Sequence, residues 1–370
     1  MNITSIALSR FRNLRELSME PDPSVNVIYG DNGQGKTNLI ESVWLLSGAR
    51  SFRGAKDADL ISFGESGARI RASFRKDGRL QQAELRFGGR KSAFLNEIPL
   101  ESAARLAGEL CAVVFSPSHL SLVKDGPAER RRFLDTSICQ ITPRYIDTLA
   151  AFSRVLQQRN TLLKDISYAS SLLDTLDIWD EKFCSLAASV SWARERYALR
   201  LGGAAREIYE GISMSREAFE TVYRRNGVGP EQYQGPEQLR EAYRQALSRA
   251  RGEDLRCGVT TVGPHRDDLE ILLDEKSARS FGSQGQQRSS VLALKLGEAR
   301  CMGEILREAP VILLDDVMSE LDSGRREYLL NHLAGSQIFI TCCDKTYFSS
   351  LSAGRSFRME NGEITDSSGF

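Results

Sequence analysis

At 370 residues with 41% hydrophobic side chains, the chain is long enough for two lobes and apolar enough to bury a full core. Its 49 basic residues balance 49 acidic ones, so any nucleic-acid contact has to come from a local patch, because the whole molecule supplies no attracting field. No stretch approaches a membrane span, residues 1–13 lack the apolar run of a signal peptide, and the seven scattered cysteines form no C-x-x-C or Cys/His cluster; a cytoplasmic chain with reduced thiols is expected, without membrane partner or disulfide framework.

Residues 3–10 alternate apolar and polar side chains, residues 11–13 interrupt them and residues 14–19 resume, so that with residues 25–29 they read as a β-meander. The chain then turns through Gly30-Asp31-Asn32-Gly33-Gln34-Gly35-Lys36-Thr37-Asn38 into a helix with Leu39, Ile40, Val43, Trp44 and Leu46 at helical spacing. The first eight of these fit the P-loop pattern G-x-x-x-x-G-K-[ST] at every fixed position. A loop that wraps phosphates with backbone N–H groups needs glycine where a Cβ would clash, and the helix N-terminus adds positive partial charge. Lys36 is the expected point charge for the β- and γ-phosphates, and Thr37 the expected hydroxyl for Mg²⁺. Strand, loop and helix arrive in the required order, which a chance glycine-rich turn would not provide; the chain is expected to bind a nucleoside triphosphate.

The helix stops before Gly48, and residues 49–56 interleave Arg50, Arg53 and Lys56 with Phe52, a pattern that suits polymer phosphates as well as it suits a solvated loop. Residues 68–75, 81–87 and 91–95 read as strands joined by Asp77-Gly78 and Gly88-Gly89 turns, and residues 111–115 as a buried strand. At Ser116 the character changes. Lys124-Asp125-Gly126-Pro127 puts proline at the first position of a helix carrying Arg130, Arg131 and Arg132, further candidate DNA contacts together with Lys124. Successive helix residues point about 100° apart, so these three arginines cannot all face one way. Two longer amphipathic helices follow. The fold class expected is α/β, an ATPase lobe of residues 1–122 and 254–370 with an inserted all-helical lobe over 123–253.

β character returns near residue 260, with Val262-Gly263-Pro264-His265-Arg266-Asp267-Asp268 ahead of a hairpin over residues 269–279. Ser283-Gln284-Gly285-Gln286 then opens a strong helix. A serine N-cap, a glycine and free helix-terminal N–H groups make a second anion site, although an ordinary capped helix gives the same signal. Residues 310–316 form an apolar strand that ends in Asp315 and Asp316. Asp315 is the expected metal ligand and Asp316 the group that orients or deprotonates the attacking water. A last core strand, 337–341, delivers Thr341-Cys342-Cys343-Asp344 to where a γ-phosphate sensor is expected.

In this order the motifs resemble an ABC-type ATPase head of the SMC/Rad50 class. Arg50-Ser51-Phe52-Arg53 and residues 262–268, 282–288 and 313–322 look like the RecF family of bacterial DNA replication and repair proteins, over nearly the whole chain and least over residues 148–235. The insertion is too short for the coiled coils of SMC and Rad50 proteins. The resemblance implies an ATP- and Mg²⁺-dependent homodimer with weak DNA-dependent ATPase activity. It further implies binding of double-stranded DNA, including duplex next to single-stranded gaps, and action with RecO and RecR to load RecA in recombinational repair and replication. Ser283, Gly285 and Gln286 would then cap the γ-phosphate of ATP held by the other subunit's loop, and Arg12 and Asn13 would approach the nucleotide from its base side. The chain departs from ABC heads in carrying Asp316 where most have Glu, no histidine at Thr341-Cys342, and residues 116–119 where a Gln is usual. An ABC transporter's nucleotide-binding subunit and a small-molecule phosphotransferase are the competing readings. The first would couple through that Gln to a membrane partner, and the second would not need residues 283–286.

Overall fold

The alternation at the N-terminus decides the first sheet. β1 (Asn2–Phe11) and β2 (Leu14–Met19) pair antiparallel, burying Ile6, Leu8, Leu17 and Met19 on one face and leaving Ala7 opposite Ser18 on the other. β3 (Val25–Tyr29), expected to complete a meander with them, leaves for a different sheet: Asn26, Val27 and Ile28 are buried in succession, as in a strand covered on both faces. β4 (Ala68–Lys76), β5 (Arg79–Phe87), β6 (Ser92–Leu95) and β7 (Ile98–Leu100) extend the first sheet in the order β2-β1-β4-β5-β6-β7. The computed structural model describes residues 1–343 and 353–370; Asp344, expected beside the γ-phosphate, lies outside the described residues.

The second sheet runs β15-β14-β3-β13-β12-β8, with β8 (Ala112–Phe115), β12 (Val311–Asp315), β13 (Ile338–Cys342) and β14 (Arg355–Glu360) joining β3 in parallel, and β15 (Glu363–Gly369) closing it antiparallel. α1 (Lys36–Leu46) is buried nearly all round, its Leu39, Ile40, Val43 and Leu46 sharing one core with Ile6, Ile70 and Leu85 of the first sheet and Ile28, Leu313 and Phe339 of the second. The sheet order puts β3 beside β13 and β13 beside β12, which gathers the three strand ends that carry the predicted chemistry at one edge.

The chain divides into two compact units, residues 1–120, 211–214 and 291–370 against residues 121–210 and 215–290. The second unit is mainly helical: α2 (Ser121–Lys124), α3 (Pro127–Ile141), α4 (Tyr145–Ile166), α5 (Leu176–Ser213), α6 (Pro236–Cys257) and the short α7 (Ala278–Phe281). It also holds a three-stranded antiparallel sheet of β9 (Phe219–Arg224), β10 (Asp268–Leu273) and β11 (Lys276–Ser277). α8 (Gln284–Leu306) begins in the second unit and ends in the first, which also contains α9 (Ser323–His332). Residues 254–290 thus group with the helices rather than with the ATPase lobe.

Buried guanidinium groups explain that grouping. Arg130 gives Asp268 two bonds of 2.7 and 3.0 Å and spends a third nitrogen on the carbonyls of Leu122 and Asp125. Arg131 donates to the Asp267 carbonyl, while Arg194 clamps Asp135 at 2.8 Å twice and reaches the Pro264 carbonyl. Asp267, fully buried, accepts from Tyr223, Ser191 and the backbone of Asn226. Residues 262–268 therefore serve as the strap that ties α3 and α5 to β10. Arg159, fully buried on α4, joins Asp180 of α5 and Asp254 of α6, both at 2.7 Å.

Two outcomes follow for stability. Arg159→Ala leaves Asp254 buried without its cation and should cost about 3–5 kcal/mol, read from the urea midpoint of the helical unit. His265, lodged against Phe152 and Phe183, has its pKa lowered to about 4 by burial. The unfolded chain binds the proton more tightly, so this side chain's contribution is favourable above the ordinary value of 6.5 and is lost as pH falls toward 4. Thermal midpoints should drop over that window, and His265→Gln should flatten the drop.

Candidate nucleotide site

The phosphate loop is shaped by close contacts that only glycine permits. Gly30 has φ 150°, and a Cβ there would lie 2.3 Å from the Met359 carbonyl oxygen; Gly35 has φ 109°, and its Cβ would lie 2.6 Å from Leu14 Cδ2 and 2.9 Å from Asn13 Oδ1. Lys36 is 8% exposed and folds its ammonium back to the carbonyls of Gly30 and Asp31, 2.7 Å each, which sets its charge inside the loop. Asp31, Asn32 and Gly33 are exposed, leaving the mouth open.

Two walls hold this loop. On one side Asn13 Nδ2 donates to the Gly33 carbonyl at 3.2 Å and Asn38 donates to Asn13 at 2.7 Å. Behind them Arg12 makes a two-pronged bond to Glu41, 2.5 and 3.1 Å, and Ser51 donates to the same carboxylate at 2.5 Å. Glu41 is fully buried in α1, so it is the hub that fixes Arg12 and the following loop. On the other side the turn between β14 and β15 reaches in: Asn361 N donates to Gln34 Oε1 at 2.5 Å and Gly362 N to the Gln34 carbonyl at 3.1 Å. Neither Glu41 nor this hairpin was among the sequence candidates. A lone carboxylate within an apolar helix and the Asn361-Gly362 pair were the available signals.

Thr37 and Asp315, the two expected metal ligands, are in direct contact. Thr37 Oγ1 donates to Asp315 Oδ1 at 2.8 Å, and Thr341 Oγ1 donates to the same oxygen at 3.0 Å. Burial raises the pKa of Asp315, and the Asp316 charge adds to this, while the two threonine hydroxyls and the Arg53 charge oppose it. A desolvated carboxylate of this kind gains most from a cation beside it. Among the described residues no three His, Cys, Asp or Glu side chains cluster for a metal. Thr37 and Asp315 nevertheless fit Mg²⁺, which takes one or two protein ligands and completes its shell with phosphates and water. Asp316 is exposed with φ 53°, a left-handed turn steadied by its N–H bond to Thr341 and by Ser319 Oγ on its carbonyl. Thr341 therefore braces the acidic pair, and Cys343 reaches the loop, donating to Asn32 Oδ1 at 3.2 Å. Phe115 pairs with Leu314, so Ser116 follows at the same edge as Asp315. There His119 accepts from Ser116 N, and burial and the Lys295 charge hold its imidazole neutral.

The remaining candidates divide. Ser283 and Gln286 form a reciprocal cap, Gln286 N donating to Ser283 Oγ at 3.3 Å and Ser283 N to Gln286 Oε1 at 2.6 Å; Ser283 stays exposed and Gly285 lies within the first turn of α8. Arg53 donates to Asn38 at 2.9 Å and lies 3.9 Å from Glu41, beside the wall of the phosphate loop. Arg130 is withdrawn from the phosphate contacts by its burial against Asp268, and Arg131 by its bond to Asp267. Arg132 is exposed but paired with Glu129; Arg50, Lys56 and Lys124 are exposed.

Residues 2–365 match the family described as RecF/RecN/SMC N terminal domain. The DNA replication and repair protein RecF of Heliobacterium modesticaldum is 43% identical over 373 residues, covering 99% of this chain and 100% of its own. The solved structure of the recombination mediator protein RecF-ATP in the RecFOR pathway is 35% identical and superimposes with a TM-score of 0.91, covering 100% of this chain and 97% of that one. The Smc head domain from Pyrococcus furiosus, bound to the C-terminal domain of ScpA, shares the fold at 15% identity and a TM-score of 0.55.

The hairpin contact makes a measurable demand. Gly362 has φ 81° and a Cβ there would stand 2.3 Å from the Asn13 carbonyl oxygen, so Gly362→Ala should strain the turn by about 1–3 kcal/mol and open the loop. Triphosphate affinity, titrated with a fluorescent analogue, should weaken by about tenfold or more; parental affinity would show that the hairpin does not shape the loop.

Proposed function

The chain belongs to the RecF family of DNA replication and repair proteins, and from that membership we propose that it is an ATP-dependent, dimerising ATPase that binds double-stranded DNA as a recombination mediator. The observation that carries the reading is the 2.8 Å contact between Thr37 and Asp315, which joins the phosphate loop to the acidic strand end in one site. An ABC transporter subunit is not favoured, since the matched relatives are repair proteins, and no described helix is long and apolar enough to cross a membrane.

The chemistry assigned to each group follows from its position. Lys36 and the amides at the start of α1 hold the β- and γ-phosphates. Thr37 and Asp315 would hold Mg²⁺, which when bound would supply charge neutralisation at the phosphate oxygens. Asp316, exposed beside that pair, orients the attacking water and receives its proton. Ser283 and Gly285 cap the γ-phosphate of the nucleotide held by a second copy, so ATP supplies differential free energy to the dimer. Arg12, Asn13 and Arg53 bound the nucleotide on the side of Glu41. DNA contacts from the exposed Arg50, Lys56, Lys124 and Arg132 are of the phosphate type, read without base sequence. Loading of RecA with RecR and RecO at gaps beside duplex, in the cytoplasm, completes the proposal.

Dimer mass by sedimentation and duplex binding, each with ATP, ADP and no nucleotide, test the reading. Both should require ATP. Asp316→Asn should keep ATP binding, slow hydrolysis by about 10²–10⁴-fold and prolong the dimer on DNA. Asp315→Asn should weaken the Mg²⁺ site and shorten the dimer's lifetime. Equal lifetimes for the two variants would contradict the separate metal and water roles.

A further inference from the structure

Strand alternation sorts β4 into two faces. Ala68, Ile70, Ala72 and Phe74 enter the core, so Arg69, Arg71, Ser73 and Arg75 face outward. The register sets Arg86 of β5 directly across from Arg69, and Glu84 across from Arg71. Although it sits on the outer face, Glu84 is only 4% exposed, because Arg71 and Arg86 both bond to it; burial works against its charge, and the two guanidinium groups overcome this and hold its carboxyl below the usual range. Arg86 also lies 4.3 Å over the Phe94 ring. These two guanidinium groups are thus fixed in place. Arg69 and Arg75 are exposed, and among the described residues no carboxylate pairs with them. Beside Arg69 and Arg71 the same face of β1 and β2 carries the small Ala7, Ser9 and Ser18 before Glu16 closes it, leaving a trough of about 250 Å³; farther along β1, Ser5 stands opposite Ser73 and Asn2 opposite Arg75.

We propose that this outer face of the first sheet is a docking surface for the phosphate backbone of duplex DNA. The proposal rests on the DNA-binding reading above and gives it a location. Four arginines stand against two carboxylates, Glu16 and Glu84; the cross-strand neighbours of Arg69 and Arg71 on β1 are the small Ser9 and Ala7, Ser73 faces Ser5 and Gln82, and the apolar side chains on this face are Leu80 opposite Arg75 and Phe94 beneath Arg86. Arginine forks and serine hydroxyls are the donors that phosphates take, whereas the centre of a protein interface is depleted of charge and built on aromatic side chains. Arg130 and Arg131, conspicuous in the linear sequence, are engaged inside the fold, whereas Arg69 and Arg75 of this row are exposed.

Arg69 and Arg75 can be changed without orphaning Glu84, so the test uses the full chain carrying Arg69→Ala with Arg75→Ala. Duplex binding is followed by fluorescence anisotropy in ATP across a salt series, with dimer mass measured in parallel. The slope of log K against log salt should fall by about two, roughly one for each DNA phosphate left without its arginine, with dimer mass unchanged. Arg69→Lys with Arg75→Lys should restore the slope. Parental affinity and slope in the alanine pair would overturn the proposal, as would loss of the ATP-dependent dimer, which would assign the face to subunit contact. If the parental chain itself binds no duplex in ATP, the DNA-binding reading falls, a result distinct from a surface wrongly located.

Discussion

The approach of the phosphate loop to the chain on both of its flanks is the constraint on which the rest of this structure depends. A loop that must present its N–H groups outward cannot also brace itself, and Gly30 and Gly35 remove the side chains that would have kept its neighbours away. The bracing comes from Asn13 and Leu14 on one flank and from Met359 to Gly362 on the other, segments separated by almost the full length of the chain. The parallel order β14-β3-β13-β12 brings those ends together, and the burial of α1 between two sheets fixes the direction in which the loop opens.

Polar groups inside the fold have a similar division of labour. Glu41 is buried in α1 yet organises Arg12, Ser51 and Arg53 around the nucleotide wall, so one carboxylate links the core to the rim of the site. In the helical unit the arginines of α3, α4 and α5 serve as cross-braces to Asp135, Asp254 and Asp268. Ion pairs of this kind add little net stability over a well-packed apolar core, but losing one partner is costly, which makes their geometry a specification of which helices meet. The buried thiols are passive by comparison: burial pushes Cys111, Cys139 and Cys184 up to about 12, far from thiolate chemistry.

The acidic edge shows how a site can be strained and still be stable. Asp315 is desolvated and its proton affinity is raised, while two threonine hydroxyls keep it oriented toward Thr37. Asp316 takes a left-handed backbone conformation that turns its side chain out of the sheet, away from its neighbour's role. Adjacent residues of identical type thereby acquire different environments, one buried and one exposed to water.

Much of this was legible in the sequence, for a physical reason. A phosphate loop is local: eight consecutive residues carry its glycines, lysine and threonine, and the strand before it and helix after it are set by periodicity. The Asp315-Asp316 strand and the serine cap at Ser283 are local in the same sense. What only the tertiary structure decided were the pairings between distant segments. Sequence placed β3 in the N-terminal meander because the strands are consecutive, but burial on both faces sent it to the parallel sheet. Arg130-Arg131-Arg132 read as a basic patch because charge alone does not reveal a partner, and Asp267 and Asp268, 136 and 138 residues away, claimed two of the three. Conversely Arg69, Arg71, Arg75 and Arg86 were not among the sequence candidates, and strand register aligns them on one face. Composition and period act within a few residues, whereas a shared surface or a buried ion pair is a property of which strands and helices become neighbours.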